Sequence, residues 1–194
     1  MNNVSFQSRI RPISKREFSK MTSSYGQSVY VNYPWTIKES VLSNKAYTKG
    51  VFDCTVCGIT DGIRVLMLHI CPTKKENENF DAIASFIKSK IDLTNSNLQG
   101  FLLGSKKLPF LKDKSQKIFD NFENFFEKYK IPYSKIKGGL HDNDVAYSSI
   151  TDEWLISHEM LEDETIKDFH KTPKNFLEHF YNDVKISELD ELVW

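Results

Sequence analysis

The chain has 194 residues, 40% of them hydrophobic and 13% aromatic, enough for one domain that buries roughly 70% of its unfolded surface without disulfide or metal staples. Lysine plus arginine and aspartate plus glutamate number 26 each, so no chain-wide field draws in nucleic acid or an anionic membrane. The cysteines number three, an odd set gathered between Cys54 and Cys71, which argues against a secreted disulfide scaffold and for a reducing compartment.

Residues 1–27 are polar and basic, with Arg9, Arg11, Lys15, Arg16 and Lys20 against Glu17 alone. They are read as an N-terminal arm ahead of a single catalytic domain over residues 28–194. Residues 28–35 alternate enough for a short strand stopped by Pro34. A second strand is expected over 51–59, a tight turn at Asp61-Gly62, and a buried strand over 63–71 that Pro72 ends. Apolar positions Phe80, Ile83, Ala84, Ile87 and Ile91 repeat at helical spacing. A strand at 98–103 follows. Residues 113–130 give the clearest helix, with Ile118, Phe119, Phe122, Phe125, Phe126 and Tyr129 on one stripe as core packing. Strands are expected at 134–137 and 145–150, and a last helix at Thr172-Pro173, with Thr as N-cap and Pro in the first turn. Hairpins mixed with helices predict an α+β fold, with sandwich-like central sheets flanked by helices.

Chemistry concentrates around Cys54. A tight turn at Asp61-Gly62 would set Cys54 opposite His69, and cross-strand partners have Cβ atoms about 4.5–5.5 Å apart. An imidazole there can take the thiol proton, and the thiolate is the nucleophile. The histidine needs a partner on its other nitrogen, and Thr48 can supply it. On this basis Cys54 should alkylate ahead of Cys57 and Cys71. Asp53, beside the nucleophile, is expected to point to the opposite strand face.

Thr48-x5-Cys54 with His69-Ile70-Cys71-Pro72 downstream resembles the triad of the CheD-type chemoreceptor glutamine deamidases and the related cytotoxic necrotizing factor toxins. A long helix followed by Lys135-Ile136-Lys137-Gly138-Gly139 is similar to that family's helix-then-Phe-Gly-Gly element. Phe52-Asp53 stand where the family has small residues, and Lys137 where it has an aromatic. The resemblance covers about residues 47–150. It implies Cys54 as nucleophile, His69 as base and Thr48 as orienting group, hydrolysing a glutamine side-chain amide in a protein substrate. Transglutaminase and protease variants use the same residues. An effector, a toxin-like enzyme or a chemotaxis modifier would fit.

The rival is a zinc module with no catalysis. Cys54-x2-Cys57-Gly58 resembles a zinc knuckle that His69-x-Cys71 would complete as Cys3His. In the deamidase reading no metal and no cofactor are expected, and residues 100–104 lack the ending of a phosphate loop. Cys57 and Cys71 then read as small buried hydrophobes, His141-Asp142 with Asp144 as a polar turn, and Glu159, Glu162, Asp163 and Glu164 as a solvated acidic face. No apolar leader begins the chain and no stretch is long enough for a bilayer. The expected location is the cytoplasm, or a host cell reached without a classical signal peptide.

Overall fold

The computed structural model describes residues 8–25, 41–105, 114–138, 142–158 and 172–194. The expected strand at 28–35, the residues Gly139 and His141, and the acidic face at 159–164 lie outside the described residues. Sixteen elements follow one another within the described residues. They are β1 (Arg9–Ile13), α1 (Lys15–Thr22), β2 (Val41–Ser43), β3 (Lys45–Val51), β4 (Thr55–Thr60), β5 (Val65–Ile70), α2 (Lys74–Glu78), α3 (Phe80–Lys90), β6 (Gln99–Gly104) and α4 (Lys114–Tyr129). Then come β7 (Tyr133–Lys137), β8 (Asn143–Ser148), β9 (Glu153–His158), α5 (Pro173–Phe180), β10 (Asp183–Lys185) and β11 (Glu191–Leu192).

The strands form two mixed sheets, one ordered β11-β1-β9-β8-β3 and the other β10-β7-β6-β4-β5-β2. The fold is a single α+β domain with the sheets face to face. Trp154 of the first sheet stacks on Phe101 of the second, with centroids 4.6 Å apart and planes 13° apart. Gly58 lies beneath that indole, where a Cβ would come within 2.7 Å of Trp154 Cζ3. On its other face the six-stranded sheet carries α4, and Phe126 sits over Gly100. Phe80 of α3 meets Phe122 of α4 edge to face at 5.0 Å. The outer face of the five-stranded sheet carries α1, whose Phe18 clusters with Ile13, Ala146 and Leu155. The chain therefore stacks as helix, sheet, sheet, helices, and buried strands such as β4, β5 and β6 are apolar on both faces.

Within residues 1–27, read as an arm, the described residues 8–25 are built into the fold. The strand β1 lies between β9 and β11, parallel to both, and Ile10 is fully buried. Its arginines obscured this, because alternating charge suggests solvent. Arg11 instead pairs with Glu17 at 2.8 Å and Arg9 with Glu153 at 3.5 Å. Ser14 accepts a hydrogen bond from the Glu17 amide at 3.2 Å. With Glu17 three residues on, this is the start of a capping box.

At Asn44 the chain changes sheets. Residues Val41–Ser43 pair with β5 in one sheet, and Lys45–Val51 pair with β8 in the other. The register of β3 against β8 slips between Thr48 and Val51. This bulge includes Gly50, with φ +68°. Bulges bend a strand, and here the chain turns through residues 52–54 into β4, back in the six-stranded sheet.

Candidate active site

Two strands in different sheets bring Thr48 and His69 together, and Cys54 lies in the corner that links β3 to β4. Thr48 and Cys54 are six residues apart, about 20 Å of extended chain, which is ample to cross the roughly 10 Å between packed sheets. Thr48 stays in the five-stranded sheet while Cys54 enters the other just before β4. The neighbouring strand β5 carries His69.

Across the sheet interface, Thr48 Oγ1 meets His69 Nδ1 at 2.7 Å. Thr48 is 1% exposed and His69 fully buried. Burial pushes the His69 imidazolium down to about 4, with Asp53 opposing the shift weakly, so the ring is neutral near pH 7. With Nδ1 engaged by Thr48, proton transfer to or from a thiol falls to Nε2.

The expected register of the β4–β5 hairpin is corrected by two residues. A two-residue turn at Asp61-Gly62 would pair Cys54 with His69. The loop instead holds four residues, Asp61 to Arg64, because Asp61 Oδ1 accepts hydrogen bonds from the amides of Ile63 at 2.9 Å and Arg64 at 2.7 Å. Thr60 pairs with Val65, Val56 with His69 and Thr55 with Ile70. Just past that last pair, Cys54 meets Cys71, and their sulfurs are 3.3 Å apart. This contact with Cys71, two residues along the chain from His69, makes Cys54 a diagonal rather than a direct neighbour of the histidine. Diagonal positions are about 7–8 Å apart, still within reach of an aromatic side chain.

Asp53 does not point away as expected. Residues 52–54 form a bend rather than a strand, so alternation fails there and Asp53 Oδ1 lies 3.7 Å from Cys54 Sγ. The Asp53 carbonyl accepts from Ser115 Oγ at 2.6 Å, tying the corner to α4. Gly104, at φ +150°, packs against the other side of the corner, and a Cβ there would strike the Cys54 carbonyl oxygen.

Cys54 is 8% exposed. Its thiol is pushed far above the ordinary range by the hydrogen bond it donates to Cys71, then by burial and by Asp53. Cys71 is half-buried, and the same hydrogen bond pulls its thiol down. Of the two, Cys71 carries the negative charge more readily. Its role as Cys54's partner was missed in the sequence, and counting a four-residue loop would have found it.

Cys57 is fully buried and opposite Leu68, so it projects from the face that the helices cover. The Cys3His set is therefore not gathered. Among the described residues, no group of three or more His, Cys, Asp and Glu side chains is placed to hold a metal ion. Asp144 is structural, accepting from the Gly50 amide at 3.0 Å and pairing with Lys15 at 2.8 Å. No described helix is long and apolar enough to cross a membrane.

No protein-family model matches the chain, and no curated protein matches it either.

Proposed function

We propose that this chain is a cysteine-dependent protein glutamine deamidase, with Cys54 as nucleophile, His69 as base and Thr48 as the group that orients the imidazole. The observation that carries the proposal is the 2.7 Å contact of Thr48 Oγ1 with His69 Nδ1. It joins two sheets and fixes the ring of a neutral histidine two residues before Cys71, the cysteine that Cys54 meets. A core histidine needs only some hydrogen-bond partner. This one is held by a hydroxyl from the other sheet, two residues before the cysteine that meets Cys54, and in this reading it serves as the base.

At rest the pair is neutral, a protonated Cys54 beside an unprotonated His69. As Cys54 Sγ attacks the amide carbon of a substrate glutamine, His69 Nε2 takes the thiol proton and the carbonyl oxygen becomes an oxyanion. Collapse breaks the carbon–nitrogen bond, and Nε2 returns the proton to the departing ammonia. Water, deprotonated by the same nitrogen, then cleaves the thioester to give glutamate and the Cys54 thiol. An amine in place of water would give transglutamination. Each turnover adds one negative charge to the protein substrate, enough to bias a switch region.

The test is incubation of the purified protein with bacterial chemoreceptors and, separately, a host-cell extract, followed by ammonia release and mapping of Gln-to-Glu conversion by peptide mass. Cys54→Ser should abolish conversion, and His69→Gln should lower it by about 10²–10⁴-fold. Conversion that survives Cys54→Ser would end the assignment.

A further inference from the structure

The proposed deamidation makes no use of Cys71, yet Cys71 is the contact that most shapes the environment of Cys54. The sulfurs are 3.3 Å apart, just past the last pair of the β4–β5 ladder, Thr55 and Ile70. To bond, they have to close to about 2.05 Å. Cys57, buried on the opposite face, is in no position to compete.

We propose that Cys54 and Cys71 form a reversible oxidation site, in which a peroxide converts the two thiols into a cross-strand disulfide and withdraws Cys54 from nucleophilic chemistry. The consequence for catalysis rests on the assignment of Cys54 as nucleophile, but the disulfide itself does not.

The asymmetry of the pair sets the order of events. Cys71 is half-buried while Cys54 is buried, so a small oxidant meets Cys71 first. The hydrogen bond from Cys54 favours the Cys71 thiolate, and the thiolate is the form that reacts. The Cys71 sulfur attacks one peroxide oxygen. A sulfur–oxygen bond forms, the oxygen–oxygen bond breaks, and the departing hydroxide takes a proton to become water. The Cys54 sulfur then attacks the sulfur of the Cys71 sulfenic acid. The sulfur–sulfur bond forms, the sulfur–oxygen bond breaks, and hydroxide leaves with the Cys54 proton as a second water. Two thiols lose two electrons and one peroxide gains them. A dithiol reductant reverses the step by exchange.

The test uses the full chain, reduced and then exposed to one equivalent of hydrogen peroxide, with residual thiols alkylated under denaturing conditions. The wild type should drop from three alkylatable thiols to one, lose the mass of two hydrogen atoms, and yield a peptide pair cross-linked between Cys54 and Cys71. The chain should stay monomeric on a non-reducing gel, and dithiothreitol should restore all three thiols. Cys57→Ser should still form the cross-link, and Cys71→Ser should not. Three thiols remaining after peroxide, a cross-link through Cys57, or one between two chains would overturn the proposal. Deamidation, where found, should cease in the oxidised wild type and persist in peroxide-treated Cys71→Ser. An active enzyme indifferent to peroxide would overturn the switch alone. A clean cross-link in a protein that deamidates nothing would overturn the deamidase assignment and leave the oxidation site standing.

Discussion

Thr48 holds an imidazole that belongs to the opposite sheet, so replacing it separates orientation from packing. Thr48→Val keeps the shape and removes the oxygen that Nδ1 meets. The expected costs are about 1–3 kcal/mol of stability for a buried polar contact and a drop in kcat greater than the change in KM. Thr48→Ser restores the oxygen and should recover most of both. Urea midpoints and steady-state kinetics check this, and a valine variant equal to the wild type in both would remove Thr48 from the site. The cysteines give a second residue-scale outcome, and it reverses the order expected from sequence. Cys71 is half-buried with its thiol pulled down, Cys54 is buried with its thiol pushed up, and Cys57 is fully enclosed. Timed iodoacetamide labelling of the native protein should therefore modify Cys71 first, Cys54 later and Cys57 last. Labelling of Cys54 first would mean that its hydrogen bond runs the other way. Spacing made the residue types legible, but the protonation order depends on a contact that spacing does not encode.

At the scale of elements, the sequence marked where most strands and helices lie more reliably than which residues face each other. Residues 113–130 were expected as a helix and α4 spans Lys114–Tyr129. Residues 98–103 were expected as a strand and β6 spans Gln99–Gly104. Both carry a long unbroken apolar pattern. The β4–β5 register was off because the side chain of Asp61 captures two amides and lengthens the loop, pulling Ile63 and Arg64 out of the strand. Ile63 is 66% exposed, so its apolar character misled the strand boundary. Nor did the sequence reveal why position 58 is glycine, since Trp154 is 96 residues away in the chain and meets it only when the sheets close. Gly58→Ala would drive a methyl into an indole that is itself stacked on Phe101. The expected cost is about 1–3 kcal/mol from overpacking, read as a lower urea midpoint. Adding Trp154→Phe should recover part of that loss, because it shrinks the ring in the way. A double variant that merely sums the two single losses would show that the clash relaxes elsewhere.

At the scale of the whole molecule, the stretch read as an arm meets the far end of the chain in one sheet, with β1 lying between β9 and β11. Parallel pairing between remote segments leaves no local period to read, and the basic residues of β1 concealed it further. The same closure half-buries Asp190, which accepts a hydrogen bond from Ser134 Oγ and is pushed up to about 7, by burial first and with Asp152 adding to it. His69 is shifted the opposite way, to about 4, and the two set opposed pH slopes. Below its ordinary 6.5 an unfolded His69 takes up a proton that the fold refuses until about pH 4, so stability falls as pH drops through that window. Above its ordinary 3.8 an unfolded Asp190 gives up a proton that the fold keeps until about pH 7, so stability rises as pH drops through that one. Each slope approaches about 1.4 kcal/mol per pH unit, somewhat less for Asp190, which keeps some contact with solvent. Between about pH 7 and 5 the wild type should therefore hold a nearly constant urea midpoint. Asp190→Asn removes one slope and should make stability fall on acidification. His69→Gln removes the other and should make it rise. Denaturation series at several pH values across that range decide the matter, and single variants whose profiles run parallel to the wild type would show that neither group titrates with folding.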